Sequence, residues 1–158
     1  MLFVLEGLCL VLLFRLLNML GEDNMSSLSA FLNPVKVENK KVIVSNRFLD
    51  DNKQPVPFEI KPITQEENKR MINKNTRRDK KGVEVFNRAE YLAELTANAV
   101  VFPDLNNAEL QNAYGCLGAA SLIQKMLLAG EFAELTNQVQ MLSGIDEDIN
   151  KDVEEAKN

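Results

Sequence analysis

The apolar residues of this chain change their spacing once, and that change limits the architectures open to it. Between residues 41 and 62 they alternate. Val42, Val44 and Phe48 fall out of step with Ile43, Ser45 and Arg47; after the turn-rich LDDNKQP, Val56, Phe58 and Ile60 alternate with Glu59 and Lys61. Period two over two runs separated by turn residues predicts a β-hairpin, 41–48 with 56–62, buried on one face. An isolated hairpin is marginal in water, so it must pack on something. GVEVF (82–86) reads as a third strand joining it.

From Thr64 onward the signals are helical. Thr64 and Glu67 have capping-box spacing and open a helix over QEENKRMINKNTRR, polar almost all round apart from Met71 and Ile72. Asn87 with Glu90 opens a second, carrying Leu92, Leu95 and Ala99, which Pro103 ends soon after Val101. Asn106 or Asn107 caps a short helix with Leu110 and Tyr114 that stops at Gly115. Gly118 opens another, with Ala119, Leu122, Ile123, Met126 and Leu127 in one stripe and Gly130 as its C′ glycine. Phe132, Leu135, Val139 and Leu142 form the last stripe, ended by Gly144. The expected fold is α+β: a small antiparallel sheet packed with a C-terminal bundle of short helices. Residues 26–40 read as an extended lead-in with a helical turn near 28–32. The expected organisation is an apolar segment 1–24, one domain over 25–145, and an acidic tail 146–158. Helical stripes are chiefly core. The last one, beside the tail, is also the candidate partner-binding surface: Phe132, Leu135, Val139 and Leu142.

Composition removes several functions. The chain has no histidine, so Ser-His and Cys-His nucleophile pairs are absent, along with the side chain best suited to proton transfer at neutral pH. No Walker-type loop and no GxGxxG occurs. Cys9 and Cys116, with no histidine, fall short of a four-ligand zinc site and read as free thiols. No catalytic residue, cofactor or metal is expected. The net charge of −5 and pI near 4.9 argue against nucleic acid as the main partner. Residues 61–81 run the other way, with eight Lys or Arg against three acids. They read as a solvated face or as a dock for an acidic partner; a nucleic-acid-binding regulator would also use them. The apolar run LFVLEGLCLVLLFRLLNML (2–20) lacks the positive n-region of a signal peptide. Glu6 and Arg15 count against a membrane span, since a central Arg costs about 2.5–3.5 kcal/mol on insertion. That run reads instead as a helix covered by a partner or as a segment not native to the protein.

FPDLNNAELQNAYGCLGAASLIQKMLLAGEFAELTNQVQMLSG (102–144) resembles the C-terminal half of the XkdN-like phage tail assembly chaperones, above all in LNNAELQNAYG (105–115), GA (118–119) and KMLLAGEFAEL (125–135). KVIVSNRFLDDNKQPVPFEIKPIT (41–64) resembles the family's N-terminal hairpin, so the likeness runs from Ser26 to Ile145. It implies a non-enzymatic protein of the host cytoplasm that binds the phage tape measure protein, helps recruit tail tube subunits and is absent from the mature virion. The competing reading is a structural tail component retained in the virion. Family members would begin near Met25, which makes residues 1–24 the product of an upstream in-frame start. The resemblance also implies a second, longer form made by a −1 ribosomal slip. Ala156, Lys157 and Asn158 can be encoded as a slippery heptamer, although codon degeneracy alone favours an ordinary polar terminus.

Overall fold

A computed structural model describes residues 28–145. The apolar run 2–20, the start near Met25, Cys9 and the acidic segment 146–158 lie outside the described residues. The chain divides into two units between Val37 and Glu38. In the first, residues 28–32 form the expected helical turn, with the Asn33 amide donating to the Ser29 carbonyl at 3.1 Å, and the chain then runs extended.

The second unit has the expected α+β architecture. Strand β1 (Lys40–Val42) pairs antiparallel with β2 (Phe58–Ile60), Val42 opposite Phe58 and Lys40 opposite Ile60. The hairpin is real, but its ladder is shorter than alternation predicts. Pro55 and Pro57 flank Val56 on the returning arm, and proline cannot donate to a ladder. The arms meet again only at the Leu49–Pro55 bridge, with the Val56 amide donating to the Phe48 carbonyl at 2.8 Å.

The expected third strand lies elsewhere. Helix α1 (Gln65–Asn75) ends at Asn75 instead of running to Arg78, because residues 76–78 turn into strand β3 (Thr76–Arg78). Strand β4 (Glu84–Phe86) pairs with β3, not with the main hairpin. The short loop makes this local pairing entropically cheaper than reaching a distant sheet edge. The third strand of the main sheet is β5 (Val100–Phe102), antiparallel to β2 and running straight on from helix α2 (Arg88–Ala99). The β-branched Val100 and Val101, and the bias of a residue before proline toward extended backbone, favour strand there over helix.

The two ribbons turn in the same way. Asp50 Oδ1 accepts from the amides of Asn52 and Gln54, both at 2.8 Å; Asp79 Oδ1 accepts from those of Lys81 and Val83 at 2.8 and 2.9 Å. The fourth residue of each turn is left-handed, Lys53 with φ 60° and Gly82 with φ 81°.

The remaining helices are α3 (Ala108–Ala113), α4 (Ala119–Met126) and α5 (Ala129–Ser143). Thr64 and Glu67 form the capping box, Asn107 caps α3, Gly118 opens α4, and Gly144 closes α5 with φ 65°. Gly130 is not a C′ glycine: α4 has ended at Met126, and Gly130 lies in the first turn of α5. Helix α2 lies against α1, α4 and α5. Ile60, Leu95, Leu122, Ile123, Leu135 and Val139 are fully buried between these elements. At the α2–α5 contact the buried hydroxyls of Thr96 and Thr136 bond at 2.8 Å, and Thr96 also donates to the Leu92 carbonyl.

Arg47 clasps the post-β1 segment to the helices. Its Nε donates to Glu131 Oε1 at 2.9 Å, and one terminal nitrogen, Nη2, donates to both Glu131 Oε2 and the Met126 carbonyl (3.0 Å). Glu131 also accepts from the Leu128 amide at the start of α5. The Arg47 hydrogen bonds, chiefly, hold the Glu131 carboxyl at about 2 against the usual 4.5. The Thr64 amide, then Lys61, bring Glu67 to about 2 as well.

Lys53→Gly should raise stability by about 0.5–1 kcal/mol, since a side chain in the left-handed region costs roughly 1–2 kcal/mol while glycine's extra chain entropy returns part of that. Gly82→Ala should lower stability by about 1 kcal/mol. Denaturant midpoints check both signs. Glu67 and Glu131 have depressed carboxyl values, so their stabilisation is complete above about pH 4.5 and is lost as pH falls through about 2. Melting temperature should fall across that window, and less steeply in a Glu67→Gln/Glu131→Gln variant; equal slopes would show that other groups govern acid unfolding.

Candidate partner-binding surface

The four stripe residues lie on α5 as the spacing predicts, but the stripe faces inward. Leu135 and Val139 have no exposed surface, and Phe132 and Leu142 are half-buried against the core. Although α5 is the last described element of the chain, one face of it packs into the core. It covers α2 and approaches β1, where Lys40 Nζ donates to Gln138 Oε1 at 2.8 Å. Exposed apolar side chains of the second unit are scattered, among them Leu117, Leu128 and Met141.

A concave apolar site lies where the main hairpin meets β5. Phe48, Leu49, Val56, Pro57, Phe58, Phe102 and Pro103 line a cleft of about 160 Å³. The turn at Asp50 sets Leu49 at its rim, and Phe48 packs edge-on to Phe58, ring centroids 5.9 Å apart. The Phe102–Pro103 peptide is cis, and Phe102 stays 51% exposed. Among the described residues β5 is an outer strand of its sheet, bonded to β2 on one side. Sequence reasoning missed this site because it carried the second helix through Val101. The Val-Val-Phe-Pro run was the available signal. In the first unit, Leu28, Phe31 and Leu32 are also exposed.

The second exposed feature is charged. Helix α1 and the β3–β4 ribbon hold most of the basic stretch 61–81. A shallow groove between α1 and α2 is lined by Glu67, Arg70, Met71, Lys74, Glu94 and Asn98, with Lys74 paired to Glu94. Phe86 lies against Tyr91, ring centroids 5.3 Å apart, and fastens the ribbon to α2.

LNNAELQNAYG proves architectural. Leu105 is buried, Asn107 caps α3, and the buried Gln111 donates to the Leu105 carbonyl at 2.8 Å while accepting from the Gly118 amide at 3.0 Å. Gly115 takes a left-handed φ of 58°. Cys116 is a half-buried free thiol. No helix among the described residues is long and apolar enough to cross a membrane.

The chain is similar to known proteins over most of its length. The phage-like element PBSX protein XkdN of Bacillus subtilis (strain 168) is 29% identical over 143 residues, covering 86% of this chain and 97% of that protein. The protein YqbN of the same strain is 29% identical over 129 residues, covering 78% and 87%. A crystal structure of YqbN superposes with a TM-score of 0.64 at 24% identity, covering 74% of this chain and 96% of that one, a likeness of fold. The family model for phage XkdN-like tail assembly chaperone proteins matches residues 28–157. The chain belongs to the XkdN-like phage tail assembly chaperone family.

Proposed function

We propose that this chaperone binds the phage tape measure protein and helps recruit tail tube subunits to it, in the host cytoplasm and without catalysis, and that it is absent from the mature virion. The observation that supports this most is the open apolar cleft at Phe48, Leu49, Phe58 and Phe102. A tape measure is a long helix whose apolar stripes face water until the tube encloses them. A cleft of about 160 Å³ accepts one or two apolar side chains from such a stripe. Contacts of that size stay weak, below about 1,200 Å² of buried surface, so tube subunits displace the chaperone. On α5, Phe132 and Leu142 retain some surface at the helix edge and belong to the same proposal; Leu135 and Val139 support it from within the core.

The test is co-expression with the tape measure protein of the same phage or prophage. A Leu49→Asp/Phe102→Asp variant should keep its circular dichroism and melting temperature but pull down at least tenfold less tape measure. Leu135→Asp should instead unfold the chain, because a buried unpaired charge costs more than about 4 kcal/mol. Undiminished pull-down by the folded double variant would remove the cleft from the reading. A tape measure that aggregates regardless of the wild-type chain would remove the function.

A further inference from the structure

The basic stretch is unevenly compensated. Glu67 is engaged by Thr64 and Lys61, Glu84 lies 3.3 Å from Arg78, Glu94 takes Lys74 and Asn75, and Asp79 Oδ1 is committed to its turn. Glu66 sits in the first turn of α1. Lys69, Arg70, Arg77, Lys80 and Lys81 are exposed and join no ion pair among the described residues. Arg77 is opposite Val85, on the ribbon face away from Phe86 and its Tyr91 contact. Five cations thus face solvent on one helix and one ribbon of a chain with net charge −5.

The complementary charge is on the same chain. Residues 146–158 hold Asp146, Glu147, Asp148, Asp152, Glu154 and Glu155 against Lys151 and Lys157. The end of α5, to which this segment is joined, lies beside the start of α1, where the Ile63 amide donates to Ser143 Oγ at 3.0 Å. Thirteen residues can span at most about 45 Å. The eleven-residue α1 is about 16 Å long, and a three-residue strand adds about 10 Å.

We propose that residues 146–158 dock on the Lys69, Arg70, Arg77, Lys80 and Lys81 surface of their own chain, so that an acidic partner reaches this surface only by displacing them. A tether this short gives an effective concentration in the millimolar range, enough to populate a contact that is weak in free solution. The contact is reversible and sensitive to salt, since exposed charges are screened beyond about 8 Å at physiological ionic strength. Tethering also favours the acidic segment over free nucleic acid for the same cations.

Amide NMR spectra of the full chain test this against a variant with Asp146, Asp148 and Asp152 changed to Asn and Glu147, Glu154 and Glu155 changed to Gln. At low salt the two spectra should differ at residues 69–81, and the difference should vanish near 0.5 M salt. It should be unchanged by a tenfold dilution. A 20-base-pair DNA duplex added to the wild-type chain at 0.15 M salt should leave those amides unmoved. Matching spectra at low salt overturn the proposal. So does a difference that fades on dilution, which assigns the tail to a second copy, and so does a shift with DNA, which assigns the surface to phosphate. An Arg77→Glu/Lys80→Glu/Lys81→Glu variant supplies the reciprocal measurement, and shifts that persist in its tail would equally overturn it.

Discussion

Everything in the second unit is arranged around the burial of α2, and that burial is possible because of what the helix lacks. Its enclosed positions are largely small: Ala93, Thr96, Ala97 and Ala99 accompany Leu95 and Tyr91. Small side chains let α1, α4 and α5 approach closely, and Leu122, Ile123, Leu135 and Val139 fill the space left between them. Thr96 would be a liability in so dry a place. Thr136 answers its hydroxyl, and the Leu92 carbonyl takes its proton, so no polar atom there goes unpaired. The Arg47 clasp has the same logic at the edge of the core. It satisfies the last carbonyl of α4 and the first turn of α5 with one guanidinium, which holds the segment after β1 down on the helices.

What could be read from the residues was the local chemistry. Thr64 with Glu67, Asn107, Gly118 and Gly144 each mark a helix end through a bond or a backbone angle that the residue itself supplies, and all four hold. The misreadings came where distant partners decide. Val100 to Phe102 continue a helical pattern, but the open side of β2 makes them a strand. Thr76 to Arg78 look like the end of a polar helix, but the Asp79–Gly82 turn folds Glu84–Phe86 back on them. Gly130 has the spacing of a helix stop, yet Leu128 and Glu131 begin a new helix across it.

The candidate site was legible only in part, for a related reason. Periodicity finds the apolar face of a helix but not what covers it. For α5 the cover is α2, so the stripe at Phe132, Leu135, Val139 and Leu142 mainly serves the core. The exposed apolar cleft is built from three separated stretches, around Phe48, Val56 and Phe102, and no window of sequence contains them together. The basic stretch was visible as composition; its division into a helix and a protruding ribbon was not.

Because α2 passes into β5 without an intervening residue, and because Asn87 at its other end donates to the Asn75 carbonyl beside the β3–β4 ribbon at 2.9 Å, the apolar cleft and the basic ribbon are mounted on opposite ends of one rod. Twelve helical residues make that rod about 18 Å long. It therefore acts as a ruler. A ligand touching both ends at once must cover about 18 Å, roughly twelve residues of helix or five to six of strand, and a shorter peptide can engage only one end at a time.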